Sequence, residues 1–348
     1  MDASSAVVTV QRLDETSRSQ WDNFVQSCPD ATFFHLAGWK FVIESAFGHR
    51  CYFLYAQRAG AICGVLPLVH IKSMLFGNSL VSTGFTVGGG PAVSDSDALP
   101  VLEAAAIALA DELDVDFLEF RSGSQTHADW ANNADLYVHF AKPIGPGPEK
   151  DMLAIPRKQR AMVRKGIKAG LTSVIDDDVD RLHPVYAESV RNLGTPVFAK
   201  AYFRALQDAF SPNLDIVTVL HDGKAVASVM NFYFRDRVLP YFGGGVLAAR
   251  NVAGNDFMYW EVMRRAIERG YRVFDFGRSK KGTGAYSFKK NWGFDPQPLT
   301  YEFKLRKLQA APEINPLNPK YRLFIAAWKR LPLPVAGIVG PFIVRNLG

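Results

Sequence analysis

Residues able to do chemistry crowd into one stretch of this chain, positions 271–293, YRVFDFGRSKKGTGAYSFKKNWG. Arg278, Lys280, Lys281, Lys289 and Lys290 place five cations within thirteen residues, and Asp275 is the one acid among them. Val273-Phe274-Asp275-Phe276 has the apolar, aromatic composition of a buried strand. Gly277 is expected to end that strand, and Gly282 and Gly284 to make a turn where backbone amides can approach a ligand. Tyr286 to Lys290 reads as one or two helical turns, closed by Trp292 and Gly293. A strand emptying into a cation-lined glycine turn suits an anion or a developing oxyanion. The competing reading is a solvated basic loop after a core strand.

A buried strand needs a sheet, and the chain carries its elements twice. In the first half, a helix over 37–47 precedes a hairpin (52–59 and 61–71), a third strand at 79–83, glycines 88–90, an alanine-rich helix over 99–113 and a strand over 116–122. In the second half, a helix over 202–210 precedes a hairpin (214–221 and 224–235), a strand at 238–242, glycines 243–245, a helix over 255–269 and the strand at 273. Gly88 and Gly243 lie 155 residues apart, and Phe120 of LEFRS and Phe276 of FDFGRS lie 156 apart. Two landmarks agreeing within one residue indicate a duplicated unit. The expected fold class is α/β, an α+β layer design with a mixed sheet. Domain one is expected over 1–145, domain two over 146–310, and a tail over 311–348, with Pro143-Ile-Gly-Pro-Gly-Pro148 as the linker. After it, Pro156 suits a first helical turn and Gly170 a stop. Arg157, Arg160, Arg164 and Lys168 share one face of the helix between them. Met162, Val163 and Ile167 are placed to pack on the body.

The net charge of +6 and pI near 9.1 favour acidic partners. Three scattered cysteines have neither metal nor redox spacing and fit a reducing compartment. No export signal or spanning segment is visible, so a cytoplasmic location is expected, at the inner face of the membrane if the tail touches lipid. No HExxH, GxSxG, GxxxxGK[ST] or dinucleotide fingerprint occurs, and no metal is expected.

The repeat, the helix Arg-x-x-Arg-x-x-x-Arg-Lys-Gly-x-x-x-Gly and FDFGRS…GTGAYSFKKNWG together resemble the Fem-type (FemAB/FemX) acyltransferases. The tail over 315–348 is similar to the subgroup found with exosortase/PEP-CTERM exopolysaccharide systems. The resemblance implies two tandem GNAT-like acyl-CoA N-acyltransferase domains. It also implies transfer of an acyl or aminoacyl group to an amine or hydroxyl of an envelope or exopolysaccharide precursor. The donor it implies is acyl-CoA or aminoacyl-tRNA, and the acceptor an anionic, glycan or lipid-linked molecule. Carried over, the family's Phe-Lys pair falls on Phe288 and Lys289, the lysine steadying charge on the donor. Arg157, Arg160 or Arg164 matches the residue gripping a diphosphate, and Arg278 is a second clamp. Asp275 is expected to be structural before it is a base, pairing with Arg278 or orienting Tyr241 or Tyr286. His35-x-x-x-Trp39 stands where the family has Gln-x-x-x-Trp near its acceptor. The tail is expected to pack back on domain one, with contact to an anionic membrane as the rival. A non-catalytic scaffold and an RNA-binding protein are the competing classes.

Overall fold

The computed structural model describes residues 6–73, 76–312 and 319–347. The chain forms two compact units: Met1–Leu136 with Pro298–Glu313 and Arg345–Gly348, and Tyr137–Gln297 with Ile314–Val344. The first half contributes β1 (Thr9–Arg12), α1 (Arg18–Ser27), α2 (Gly38–Phe47), β2 (Arg50–Arg58), β3 (Ala61–Ser73), β4 (Gly77–Ser82), β5 (Ala92–Val93), α3 (Ala98–Glu112) and β6 (Phe117–Gly123). Then come β7 (Ala131–Pro143), α4 (Pro148–Ala154), α5 (Arg157–Lys168), β8 (Thr172–Asp176), α6 (Leu182–Leu193), α7 (Lys200–Phe210), β9 (Leu214–His221), β10 (Lys224–Phe234) and β11 (Arg237–Gly245). The chain closes with α8 (Gly254–Glu268), β12 (Val273–Lys280), α9 (Gly284–Asn291), β13 (Gln297–Leu305), α10 (Pro319–Trp328) and α11 (Leu333–Val344).

The duplication is plain in the element order: α2-β2-β3-β4-α3-β6 is matched by α7-β9-β10-β11-α8-β12. In the first unit the strands lie β1-β2-β3-β4-β6-β13, with β5 on β3; in the second they lie β7-β12-β11-β10-β9-β8. Each sheet is antiparallel except where a helix crosses over, joining β4 to β6 and β11 to β12 in parallel. This is the expected mixed α/β design. The hairpin turns hold Ala59-Gly60 and Asp222-Gly223 at positive φ, where glycine carries no Cβ penalty.

The expected domain boundaries differ from the units observed. Pro143, expected in the linker, is the last residue of β7 and pairs with Val273 of β12. β13, from the other end of the chain, pairs with β6. The strand beside the crossover strand in each unit therefore comes from the opposite half of the sequence. Local composition does not reveal this, because a strand's hydrogen-bond partner is chosen by the sheet.

Each sheet carries its own core. Leu102, Ala106 and Leu109 of α3 pack with Leu54, Leu66 and Leu118. Met258, Val262 and Ala266 of α8 pack with Val217, Val229 and Phe274. Each of the leucine, valine, methionine and phenylalanine side chains among these, fully buried, contributes about 1.5–3 kcal/mol. The tail packs on the second unit, correcting the expectation that it packs on the first. A Cβ on Gly340 of α11 would lie 2.6 Å from the Val197 carbonyl oxygen, so glycine is what lets this helix seat against the backbone. Trp328 Nε1 donates to the Thr195 carbonyl at 2.9 Å. The tail's first residues and those from Arg345 onward join the first unit, where the Arg345 carbonyl is hydrogen-bonded to His49. No helix among the described residues is long and apolar enough to cross a membrane.

Candidate active site

β12 alternates as a buried strand must: Phe274 and Phe276 face the core, and Asp275 faces the other side. Gly277 does not end the strand, as the sequence predicts, but bulges it. The register with β7 slips between Asp275 (opposite Ala141) and Gly277 (opposite Phe140), and the strand continues to Lys280. Gly277 sits at φ 64°, a conformation that a side chain would strain. Its amide donates to Asp275 Oδ1 at 2.8 Å.

The bulge turns three successive carbonyls toward α9, and Lys289 meets them. Its Nζ donates to the carbonyls of Phe276 (2.6 Å), Arg278 (2.9 Å) and, more weakly, Gly277 (3.4 Å). The same ammonium lies 5.7 Å from the Phe140 ring and 5.9 Å from that of Phe276. Burial among these groups pushes its pKa down to about 7, the Asp275 carboxylate opposing the shift and Arg278 adding to it. α9 is positioned by its cap: Thr283 Oγ1 accepts from the Tyr286 amide and donates to the Lys280 carbonyl. Phe288 packs among Tyr259, Phe276 and Trp292, and Tyr286 sets its edge against Phe140. Phe288, Lys289 and Tyr286 thus converge on the bulge.

On the opposite face Asp275 receives His139 Nε2 at 3.0 Å and Arg237 Nη1 at 3.6 Å. These take the places expected of Arg278 or a tyrosine hydroxyl. Arg278 instead lies over the Tyr137 ring at 4.4 Å. The sequence does not single out His139, Phe140 and Tyr137, because nothing local to β7 ties it to this unit. The alternation of buried Val138 and Phe140 with half-exposed Tyr137 and His139 was the available signal. Tyr241 is half-buried on β11, against Phe232 and Phe242.

α5 forms between Pro156 and Gly170 as expected, and seats on α8 through Gln159, Val163 and Gly166. Ile167, expected to pack, is 51% exposed, because the close contact at Gly166 with Phe257 sets the buried face one position earlier. Gln159 and Trp292 both donate to Asp256 Oδ1 (2.7 and 3.1 Å), tying α5, α8 and the end of α9 together; burial raises the Asp256 pKa. Arg157, Arg164, Lys165 and Lys168 are left exposed, while Arg160 donates to the Leu153 carbonyl.

The two remaining predicted residues lie elsewhere, in the core of the first unit. His35 is 1% exposed, with Nδ1 on Thr32 and Nε2 on the Gly90 carbonyl, so both ring nitrogens are committed. Trp39 is equally buried and donates to the Phe33 carbonyl. Their place is a packing one. His35 helps hold the Gly88–Gly90 loop, and the first unit's counterpart of the β12 site is closed by that loop. Gly89 donates to the Arg121 carbonyl, and Arg121 donates to Thr86 and to Glu119. In the second unit β11 and β12 pair only at Arg237–Val273 and Val238–Phe274 and then part. The glycine run there continues β11 as extended strand, Gly244 lying where a Cβ would meet Ser189 Oγ at 2.1 Å.

Residues 157–290, from the start of α5 to Lys290, match the family model of the acetyltransferase (GNAT) domain. No curated protein matches the chain by sequence. Among solved structures, FemX is similar over 91% of this chain and 100% of its own (TM-score 0.66, 14% identity). The C-terminal domain of a lysylphosphatidylglycerol synthetase from Agrobacterium fabrum is similar over 84% of this chain and 92% of its own (TM-score 0.56, 12% identity). A tandem GNAT protein from the clavulanic acid biosynthesis pathway is similar over 88% and 100% (TM-score 0.54, 12% identity). At these identities the likeness is one of fold. The second half of the chain therefore carries a GNAT acyltransferase domain, within a fold shared with the tandem GNAT proteins.

Proposed function

We infer that the second unit transfers an acyl or aminoacyl group from an activated donor to an amine or hydroxyl of a cell-envelope precursor. The observation that carries this reading is the parting of β11 from β12 beside the Lys289-clamped bulge. Parted parallel strands leave backbone amides and carbonyls without ladder partners, and such an edge is suited to hold the amides of an extended acyl donor. The equivalent gap in the first unit is filled by its own glycine loop, so the second is the one fitted for turnover.

Attack of the acceptor on the donor carbonyl places negative charge on its oxygen. Lys289 holds its third N–H only loosely, at 3.4 Å from Gly277, and that donor is the one free to turn toward the oxyanion. The carbon–sulfur or carbon–oxygen bond to the donor then breaks, and the acceptor's proton must leave. The departing thiolate or alkoxide of the donor takes it, while His139 of β7 stays with Asp275 on the opposite face. The exposed cations of α5 suit phosphates, whether of the acceptor, of CoA or of an aminoacyl-tRNA. The resemblance of the tail favours an exopolysaccharide precursor as acceptor.

The test is mass spectrometry of envelope polysaccharides and lipid-linked precursors from cells expressing the wild type or Lys289→Met, with CoA and acyl-CoA binding measured on the purified proteins. Loss of one acyl or aminoacyl substituent in the variant is expected, and its mass names the donor class. Unchanged substituents alongside undiminished Lys289→Met protein would overturn the reading.

A further inference from the structure

α11 is apolar on both of its faces. Ala336, Gly340 and Val344 are buried, recurring every four residues. Val335 (40%), Ile338 (68%), Val339 (39%) and Phe342 (66%) are exposed, spaced i, i+3, i+4 and i+7. At 3.6 residues per turn the two stripes fall on opposite sides of the helix. A helix facing water carries polar residues on its outer stripe. Here no polar side chain occurs from Leu331 to Val344. α10 adds Leu323 (83%) and Phe324 (42%) to the exposed apolar surface.

Charge tells what covers it. Residues 315–348 hold five cations (Lys320, Arg322, Lys329, Arg330 and Arg345) and no acid. Lys329, Arg330 and Arg345 are exposed and bracket α11 at its two ends. We propose that the outer face of α10 and α11 docks on an anionic lipid bilayer, α11 lying in the plane of the interface. Its twelve residues span about 18 Å against the roughly 30 Å of a hydrocarbon core, so it lies on the membrane and does not cross it. Val335, Ile338, Val339 and Phe342 enter the acyl boundary, and the flanking cations reach acidic headgroups. A symmetric pairing of two copies through this face would set these cations against one another, with no acid in the same segment to relieve them. The inference is independent of the transfer reaction, because it uses no residue of the β12 site.

The experiment is flotation of the full-length protein with vesicles of phosphatidylcholine, alone or with a minor fraction of phosphatidylglycerol. Wild type is compared with Ile338→Gln/Phe342→Gln, with Lys329→Gln/Arg330→Gln and with Leu323→Gln. These side chains are exposed, so the fold is retained, which equal melting temperatures verify. Wild type is expected to float with the anionic vesicles, and each double variant to bind them about thirtyfold or more weakly, the transfer cost of two exposed apolar groups or two headgroup contacts. Wild type remaining at the bottom with both vesicle types overturns the proposal, as do double variants that float like wild type. Light scattering that shows a wild-type dimer, made monomeric by Ile338→Gln/Phe342→Gln, assigns the face to a second copy and overturns it equally.

Discussion

Replacing Lys289 by Met removes a titration that the fold holds far from its ordinary position. In the unfolded chain the ammonium has the usual value of 10.5, and in the fold burial brings it to about 7. Below pH 7 both states are protonated and stability does not respond to this group. Between the two values the unfolded chain binds the extra proton, so wild-type stability rises with pH. Each pH unit in that window is worth about 1.4 kcal/mol. Between pH 6 and pH 9 the wild type should gain about 2–3 kcal/mol relative to Lys289→Met, the lower end allowing for solvent around the lysine stem. Urea unfolding followed by tryptophan fluorescence at pH 6, 7.5 and 9 measures it. Taking the difference between the two proteins cancels other titrating groups, including Lys142, whose pKa burial also lowers. A difference that stays flat across this range refutes the argument: the three carbonyls at 2.6–3.4 Å would then be holding the ammonium charged against its burial.

The same titration bears on activity. If the ammonium steadies the oxyanion, turnover should fall about tenfold from pH 6 to pH 8, while a rate that climbs over this range makes the neutral amine the working form. Lys289→Met should lower kcat on the order of a hundredfold with the circular dichroism spectrum unchanged, comparable to loss of an oxyanion donor. His139→Ala leaves the buried Asp275 without one of its two partners and should destabilise the fold by about 1–3 kcal/mol; an unchanged denaturant midpoint contradicts that pairing. Asp256→Ala leaves Gln159 and Trp292 without their shared acceptor and should destabilise the fold by about 1–3 kcal/mol, read by denaturant midpoint and by a shift of tryptophan emission. Gly244→Val forces α6 off β11 and should cost at least about 1–3 kcal/mol by overpacking; a protein as stable as wild type contradicts the close approach at Ser189.

Much of this was written locally. The hairpins at Ala59-Gly60 and Asp222-Gly223, the crossover helices α3 and α8 and the clustering of Phe288 and Lys289 after β12 follow from turn chemistry, periodicity and a repeat that any reader of the chain can count. What tertiary structure decided is partnership. Gly277 punctuates the strand in sequence, yet continued pairing with β7 makes it a bulge, and only the bulge supplies the carbonyls that hold Lys289. Asp275 could not announce His139, because the two are brought together by a strand from the other half of the chain. The two glycine runs look alike but differ in role: one caps its gap through Arg121 and the other extends β11. Local propensity and hydrophobic period are set within a few residues, whereas hydrogen-bond partner, burial and hence pKa depend on which distant segments the folded sheet brings alongside.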